Sequence, residues 1–312
     1  MVELSDIEAA AERIAGRVRR TPLVSASPAQ APLPGRVSLK LDCLQITGSF
    51  KVRGAVNKLG VLPPDAVARG LVTASGGNHG LAVAYAGWLA GTPTRIYLPS
   101  NTPGSKADKL RRWNAQVVIE GAVWDDANQA ALTAADRDGL TYIHPFADAA
   151  VVAGQGTLAL EVLEDAPDVD TLVVAIGGGG LISGVAAAAK ARKPGVRVIG
   201  VEPTGAATLH DSVAAGALVT LDRIETQANT LAPRRSAQLN LDLIQAHVER
   251  IVLVSDEAMR AAARWLWFEH GLGAELSGAA AVAAIQSGRY VPAEGEHVVA
   301  LVCGAGTDGL DS

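Results

Sequence analysis

Thr171-Leu172-Val173-Val174-Ala175-Ile176-Gly177-Gly178-Gly179-Gly180-Leu181-Ile182-Ser183-Gly184-Val185-Ala186-Ala187-Ala188-Ala189-Lys190-Ala191 is the stretch on which the fold turns. Thr171–Ile176 is a short, uninterrupted apolar run rich in β-branched residues, which reads as a strand buried on both faces. The four glycines that follow leave no side chain at the turn. Leu181–Ala191 is apolar and alanine-rich, which reads as a buried helix, and Val196–Val201 is the next strand. A strand, a helix and a second strand within about thirty residues make a βαβ unit, and such units build parallel sheets.

The same alternation runs along the chain. Val37–Leu41, Leu71–Ala74, Thr94–Leu98, Val117–Ile119, Thr141–Ile143, Ile251–Val254 and Val298–Cys303 read as further strands. Helical stretches lie near Phe50–Leu59, Asn78–Leu89, Lys106–Asn114, Asp125–Arg137, Val151–Leu163, Asp256–Glu269 and Glu275–Gln286. Ser5 and Glu8 have capping-box spacing, which predicts a first helix running to Arg20, before Pro22. Ala215–Gln245 lacks clear periodicity and is expected to hold a long functional loop. The expected class is α/β, with mostly parallel sheets and helices on both faces.

Composition narrows the function. Hydrophobic residues make up 49% and charged residues 19%, the balance of a compact globular chain rather than a disordered one. Net charge is −5 with no basic stripe, so nucleic acid is not an expected partner. Cys43 and Cys303 stand far apart, without ligand or CxxC spacing, which argues against a disulfide scaffold or a zinc site and for a reducing cytoplasm. The N-terminus lacks the apolar core of a signal peptide, and no segment has the character of a membrane span. A soluble protein is expected.

Three glycine-led segments carry the chemistry. Gly177–Gly180 lets a phosphate nest against backbone amides at a helix start. A dinucleotide is the competing guest, because Glu202 ends the next strand where a ribose-binding acid would sit. However, Ile182 or Ser183 falls where the third glycine of that fingerprint is needed, and Val185 follows Gly184 where a Walker lysine is required. A monophosphate suits the turn better. Ser75-Gly76-Gly77-Asn78-His79 also joins a strand to a helix, and its amides suit a carboxylate or phosphate. His79 by itself reads as a core histidine. Thr47–Ala55 places Lys51 in the first turn of a helix, whose positive end would lower the lysine pKa, and Schiff-base chemistry needs a neutral amine. Taken alone, such a lysine is ordinarily just solvated. Cys303, at the end of the last strand, points at the crevice where parallel sheets bind ligands.

Taken in order, these segments resemble the fold-type II pyridoxal-phosphate enzymes, and within them the serine/threonine dehydratase and serine racemase group. The similarity runs from Thr21-Pro22-Leu23 to Thr307 and adds His144-Pro145-Phe146, Gly154-Gln155-Gly156-Thr157 and Val201-Glu202-Pro203 to the segments above. It implies a two-domain, tryptophan synthase β-like fold. Residues 1–64 and 147–312 would form a large cofactor-binding domain, and residues 65–146 a small inserted α/β domain. It implies pyridoxal 5'-phosphate as cofactor, held by Lys51 as a Schiff base, with Phe50 beside the ring and Asn78 on the ring hydroxyl. Gly177, Gly178, Gly179 and Gly180 would cradle the phosphate, and Cys303 would face the pyridine nitrogen. Ser75, Gly76, Gly77 and, at the helix start, His79 would hold the carboxylate of an amino-acid substrate. The resemblance also implies a homodimer. No regulatory extension follows within the sequence, so feedback by isoleucine is not expected.

The implied reaction is dehydration of a β-hydroxy amino acid, such as L-threonine or L-serine, to a 2-oxo acid and ammonia. Departures from the group's pattern keep alternatives open. Gly76 stands where racemases carry a second serine, which argues against amino-acid racemisation. Ala228-Asn229-Thr230 replaces Ala-Asp-Gly, and Glu275-Leu276-Ser277-Gly278 replaces Glu-Pro-x-Gly, which leaves room for a bulkier 3-hydroxy amino acid or a threonine-synthase-like replacement. Glu202 and Ala206 match the group's divalent-cation site, but Thr208 stands where a further carboxylate is usual, so a monovalent or divalent cation remains an open expectation. Outside the group, the alternative is a nicotinamide-dependent oxidoreductase built on Gly177–Gly184 and Glu202.

Overall fold

The computed structural model describes residues 2–310. Its strands are β1 Leu23–Ser25, β2 Arg36–Lys40, β3 Leu71–Ala74, β4 Thr94–Leu98, β5 Gln116–Ile119, β6 Thr141–Tyr142, β7 Thr171–Ala175, β8 Arg197–Pro203, β9 Arg250–Val254 and β10 His297–Leu301. The helices are α1 Leu4–Ile14, α2 Lys51–Gly60, α3 Pro64–Arg69, α4 Asn78–Ala90, α5 Gly104–Arg111, α6 Trp124–Asp138, α7 Ala149–Asp165, α8 Gly180–Arg192, α9 Thr208–Ala215, α10 Gln238–His247, α11 Asp256–His270 and α12 Leu276–Gln286.

The strands form two sheets, ordered β1-β2-β10-β7-β8-β9 and β5-β4-β3-β6. Every pairing is parallel except β1 with β2. In the larger sheet the chain steps outward from β7 through α8 to β8, and later returns from β9 through α11 and α12 to β10. Right-handed crossovers taken in opposite directions put α8 and α12 on opposite faces. All five residues of β7 and of β10 are therefore buried. The alanines of α8 and α12 let these helices approach closely. The smaller sheet repeats the plan, stepping from β3 to β4 and β5 through α4 and α5, then back through α6 to β6. Its two faces feed separate cores. Leu71, Ile96 and Leu98 pack with α4 and α5, while Val72, Ala74 and Tyr97 pack with α6.

The reversals occur beside β3 and β7, and ligands of parallel sheets bind at the carboxyl ends of strands at such points. Those ends carry Ser75–Gly77 and Gly177–Gly180, and β10 lies next to β7 so that Cys303 emerges beside the second of them.

Several expectations need correction. The first helix begins at Leu4, with the Asp6 carboxylate accepting from the Glu3 amide at 3.0 Å, so Ser5 and Glu8 are not its capping pair. It stops at Ile14, because Gly16 turns left-handed at φ 71°. Ala215–Gln245 does hold a long loop, but its last part is helical, since α10 starts at Gln238 and buries Asn240, Leu241, Leu243 and Ile244. The buried asparagine masks the apolar period that would have revealed the helix. β1, α3 and α9 are also additions, each too short to show a period.

Candidate active site

α2 begins at Lys51 with Phe50 as its N-cap, and the Phe50 amide donates to the Cys303 carbonyl at 3.1 Å. This bond fastens the lysine helix to the end of β10. Arg53, two residues on and fully buried, anchors the same turn: both distances to the Asp42 carboxylate are 2.8 Å, and its Nη1 lies 2.6 Å from Glu161. Removing one partner from such a buried group leaves a charge uncompensated, so the first turn of α2 is held firmly.

Lys51 Nζ donates to the Pro145 carbonyl at 2.8 Å and sits 5.1 Å from the centroid of the Phe50 ring. Burial lowers its pKa to about 8, against the opposing pull of Cys303 and Glu275. The direction agrees with the expectation from the helix start, but the leading cause is desolvation. Cys303 is buried, its Sγ lies 3.7 Å from the Ser277 carbonyl, and burial pushes its thiol far up. It is a neutral thiol at any physiological pH.

The glycine turn faces the same space. None of the backbone amides from Gly177 to Ile182 has a partner among the described residues. The Gly178 carbonyl is tied back, accepting from Ser236 Oγ at 2.8 Å and Asn240 Nδ2 at 2.7 Å. A Cβ on Gly178 would overlap the Phe146 ring, and Gly179 adopts φ 93° with Leu209 and Asn240 behind it. The turn is thus packed on its outer side, with its amides aimed inward. Phe50, Lys51, Asn78, Gly177–Gly180, Thr230, Glu275, Ser277 and Cys303 line one cleft.

The chain matches the family model described as "Pyridoxal-phosphate dependent enzyme" over residues 14–304. It belongs to that family. Among its relatives, L-threonine ammonia-lyase of Thermotoga maritima is 38% identical over 308 residues, covering 99% of this chain and 76% of the relative. Serine racemase of Oryza sativa subsp. indica is 35% identical over 295 residues, covering 95% and 87%. The solved maize serine racemase superposes with a TM-score of 0.93 at 34% identity, covering 97% of this chain and 93% of that one. The family's cofactor is pyridoxal 5'-phosphate, which rules in favour of the monophosphate reading of Gly177–Gly180 over the dinucleotide one.

The residues present fit that cofactor. The unpartnered amides suit its phosphate, the lysine its carbonyl carbon, and the Phe50 ring and Cys303 border the space between. Asn78 also borders it, and its Nδ2 donates to Glu275 Oε1 at 2.7 Å. Ser75, Gly76 and Gly77 lie immediately before Asn78, with the Gly77 amide donating to Ser75 Oγ at 3.2 Å while the amides of Gly76, Asn78 and His79 have no partner among the described residues.

Two expected site residues turn their side chains toward backbone partners. The His79 ring is buried, with Nε2 2.8 Å from the Ile143 carbonyl, and burial together with Lys51 lowers its pKa to about 3. It is a neutral core histidine whose ring is engaged with the Ile143 carbonyl. Glu202 accepts from the Leu209 and His210 amides at 2.9 and 2.7 Å, and burial pushes its carboxyl up to about 8 against their pull. It therefore caps the turn into α9. Ala206 offers only a backbone carbonyl, and Thr208 Oγ1 is committed to the Pro233 carbonyl at 2.7 Å. No group of three or more His, Cys, Asp or Glu gathers among the described residues, so this donor set does not fit a divalent cation.

Glu275, Thr230, Ser277 and the Pro145 carbonyl enter the site without having been singled out for it. The departures at Ala228–Thr230 and Glu275–Gly278 were the available signal, but no spacing rule brings residues 230 and 275 to Asn78. No helix among the described residues is long and apolar enough to cross a membrane.

Proposed function

We propose that the protein removes the β-hydroxyl group of a hydroxy amino acid such as L-threonine or L-serine, releasing a 2-oxo acid and ammonia. The observation that carries this reading is the meeting, in one cleft, of the half-buried Lys51, the unpartnered amides of Gly177–Ile182 and the neutral Cys303 thiol. A relative named L-threonine ammonia-lyase, 38% identical over 99% of the chain, supports the choice of reaction.

Lys51 holds the cofactor through its amine, Gly177–Gly180 hold the phosphate, and Phe50, Asn78 and Cys303 hold the ring. When bound, pyridoxal 5'-phosphate supplies an electron sink for charge developing at the substrate Cα. Lys51 Nζ, whose pKa near 8 makes it a base close to neutrality, takes the Cα proton. Cys303 has no charge with which to keep a ring nitrogen protonated, so the sink is weakened and prompt loss of a β-substituent is favoured over a long-lived carbanion. Loss of the Cα proton and the β-hydroxide yields water and an enamine, and hydrolysis of the tautomeric imine releases ammonia and the 2-oxo acid. Ser75, Gly76 and Gly77 bind the substrate carboxylate through hydroxyl and amides at the start of α4, with His79 contributing its backbone amide alone. Thr230 and Glu275 narrow the cleft on the other side of Asn78, and they set which 3-hydroxy side chain fits.

The same reading treats residues 1–64 and 147–312 as the large cofactor-binding domain and residues 65–146 as the small inserted one. It takes the protein to act as a cytoplasmic homodimer that binds neither nucleic acid nor membrane. Racemisation is the second reading, favoured by the 35% identity to a serine racemase. It lacks a hydroxyl at Gly76 to serve the opposite face of Cα.

Purified protein given pyridoxal 5'-phosphate should develop a visible band that borohydride traps on Lys51, and Lys51→Ala should show neither the band nor turnover. L-threonine or L-serine should then give 2-oxo acid and ammonia in equal amounts. A protein that stays colourless refutes the reading, while D-serine formed from L-serine without ammonia favours the racemase.

A further inference from the structure

A half-buried carboxylate in the cleft takes no part in the bond-making and bond-breaking steps. Glu275 N-caps α12 and lies along Gly304, where an added Cβ would strike its Oε1. Asn78 Nδ2 donates to Oε1 at 2.7 Å, and Thr230 Oγ1 approaches the same oxygen at 3.2 Å. Thr230 Oγ1 also contacts Ser277 Oγ.

Donor accounting gives this chain a direction. A carboxylate only accepts, so Asn78 presents its NH2 group and Thr230 its O–H to Glu275. The threonine hydroxyl has one proton, and its closer contact is Ser277 Oγ, so that proton is shared between Ser277 and Glu275. The Asn78 NH2 group is the donor that Glu275 keeps in either case. A carboxamide has two flips, and only one satisfies this arrangement. The charged or titratable groups that face Glu275 are Lys51 from α2, Cys303 from the end of β10, Asp308 beyond it and Lys106 from α5.

We infer that Glu275 is a positioning residue, which locks the Asn78 carboxamide in one flip toward the cofactor and sets a counter-charge in the cleft that also holds the Lys51 amine. The inference rests on the proposed cofactor site. The Glu275 carboxyl is pushed up to about 7, chiefly by burial and further by Asp308. Its charge, and with it both roles, is present above that pH and fades as pH falls through it.

The test measures the rate at which full-length protein, freed of cofactor, captures added pyridoxal 5'-phosphate as pH is raised. In the wild type the rate climbs with a midpoint near 8, where Lys51 loses its proton. In Glu275→Gln the midpoint falls by about one pH unit, since loss of an opposite charge disfavours the lysine cation. Cofactor dissociation also rises by about tenfold through loss of a charge-assisted bond. Glu275→Asp keeps the charge and returns the midpoint toward the wild-type value. A folded Glu275→Gln protein with an unmoved midpoint overturns the inference, because a merely structural carboxylate would lower the melting temperature and leave the lysine alone. Should Glu275→Gln not fold, Thr230→Val carries the test. It removes one donor, weakens the carboxylate's charged form and shifts the midpoint the same way by a smaller amount, and no shift overturns the inference. If the wild type captures no pyridoxal 5'-phosphate at all, the cofactor reading itself has failed; equal midpoints in proteins that do capture it defeat only the role of Glu275.

Discussion

The turns after β3 and β7 are built from the same parts: a buried parallel strand, a glycine turn and an apolar helix whose first amides are unpartnered. They differ in what stands behind them. The Gly177–Gly180 turn is braced by Ser236 and Asn240 on the Gly178 carbonyl and by the Phe146 ring against its Cα. Beyond the Ser75 carbonyl, which lies against Gly80, the Ser75–Gly77 turn has little at its back. An added Cβ at Gly77 would meet only Ser75 Oγ, at 4.0 Å, and one at Gly76 would meet the ends of Thr102, Leu98 and Lys106 side chains. A braced turn keeps one shape and suits a phosphate that stays bound. An unbraced turn adapts, which suits a carboxylate that arrives and leaves at each turnover. Two equivalent pieces of sequence thus become a fixed cradle and a yielding one through their neighbours alone.

Substitution at the braced turn should have the largest effect. Gly178→Ala forces the turn away from Phe146, and overpacking of about 1–3 kcal/mol should weaken pyridoxal 5'-phosphate binding by roughly a hundredfold. Titration of cofactor-free protein by absorbance measures this, and an unchanged dissociation constant would break the comparison. Ser236→Ala comes next. It removes one of two donors from the Gly178 carbonyl, at a cost of about 1 kcal/mol, so cofactor affinity should fall about fivefold, with Asn240 holding the remainder. Gly77→Ala should matter least for the cofactor. Space is open there, so cofactor affinity and melting temperature should match the wild type, while KM for the amino acid rises by only a few-fold. Loss of cofactor in Gly77→Ala would show that the two turns do not divide the labour as their surroundings suggest.

What could be read along the chain follows a physical rule. Nine strands were placed to within two residues at each end, from Leu71–Ala74 to the glycine-led β7, because period and turn residues are local properties. Lys51, Phe50, Gly177–Gly180 and Cys303 could be proposed from the sequence because each sits at an element's end, where parallel sheets bind ligands, and the structure brings them to one cleft. His79 and Glu202 show the complementary limit. Both lie at the expected position on the chain, but His79 turns its ring to the Ile143 carbonyl and Glu202 turns its carboxylate to the amides of α9. Side-chain direction answers to the nearest satisfying partner, and those partners are far off in sequence or on an element too short to be foreseen.

By itself the sequence determined the βα alternation, the positions of the two glycine turns, the lysine at a helix start and the family, since each depends on residues within a few positions of one another. Only the tertiary structure decided that one glycine turn is braced and the other free, that burial rather than the helix end lowers the pKa of Lys51, and that Glu275 and Thr230 share the cleft with Asn78. Burial, bracing and donor direction are set by what surrounds a group in space, and that depends on contacts between segments as much as two hundred residues apart.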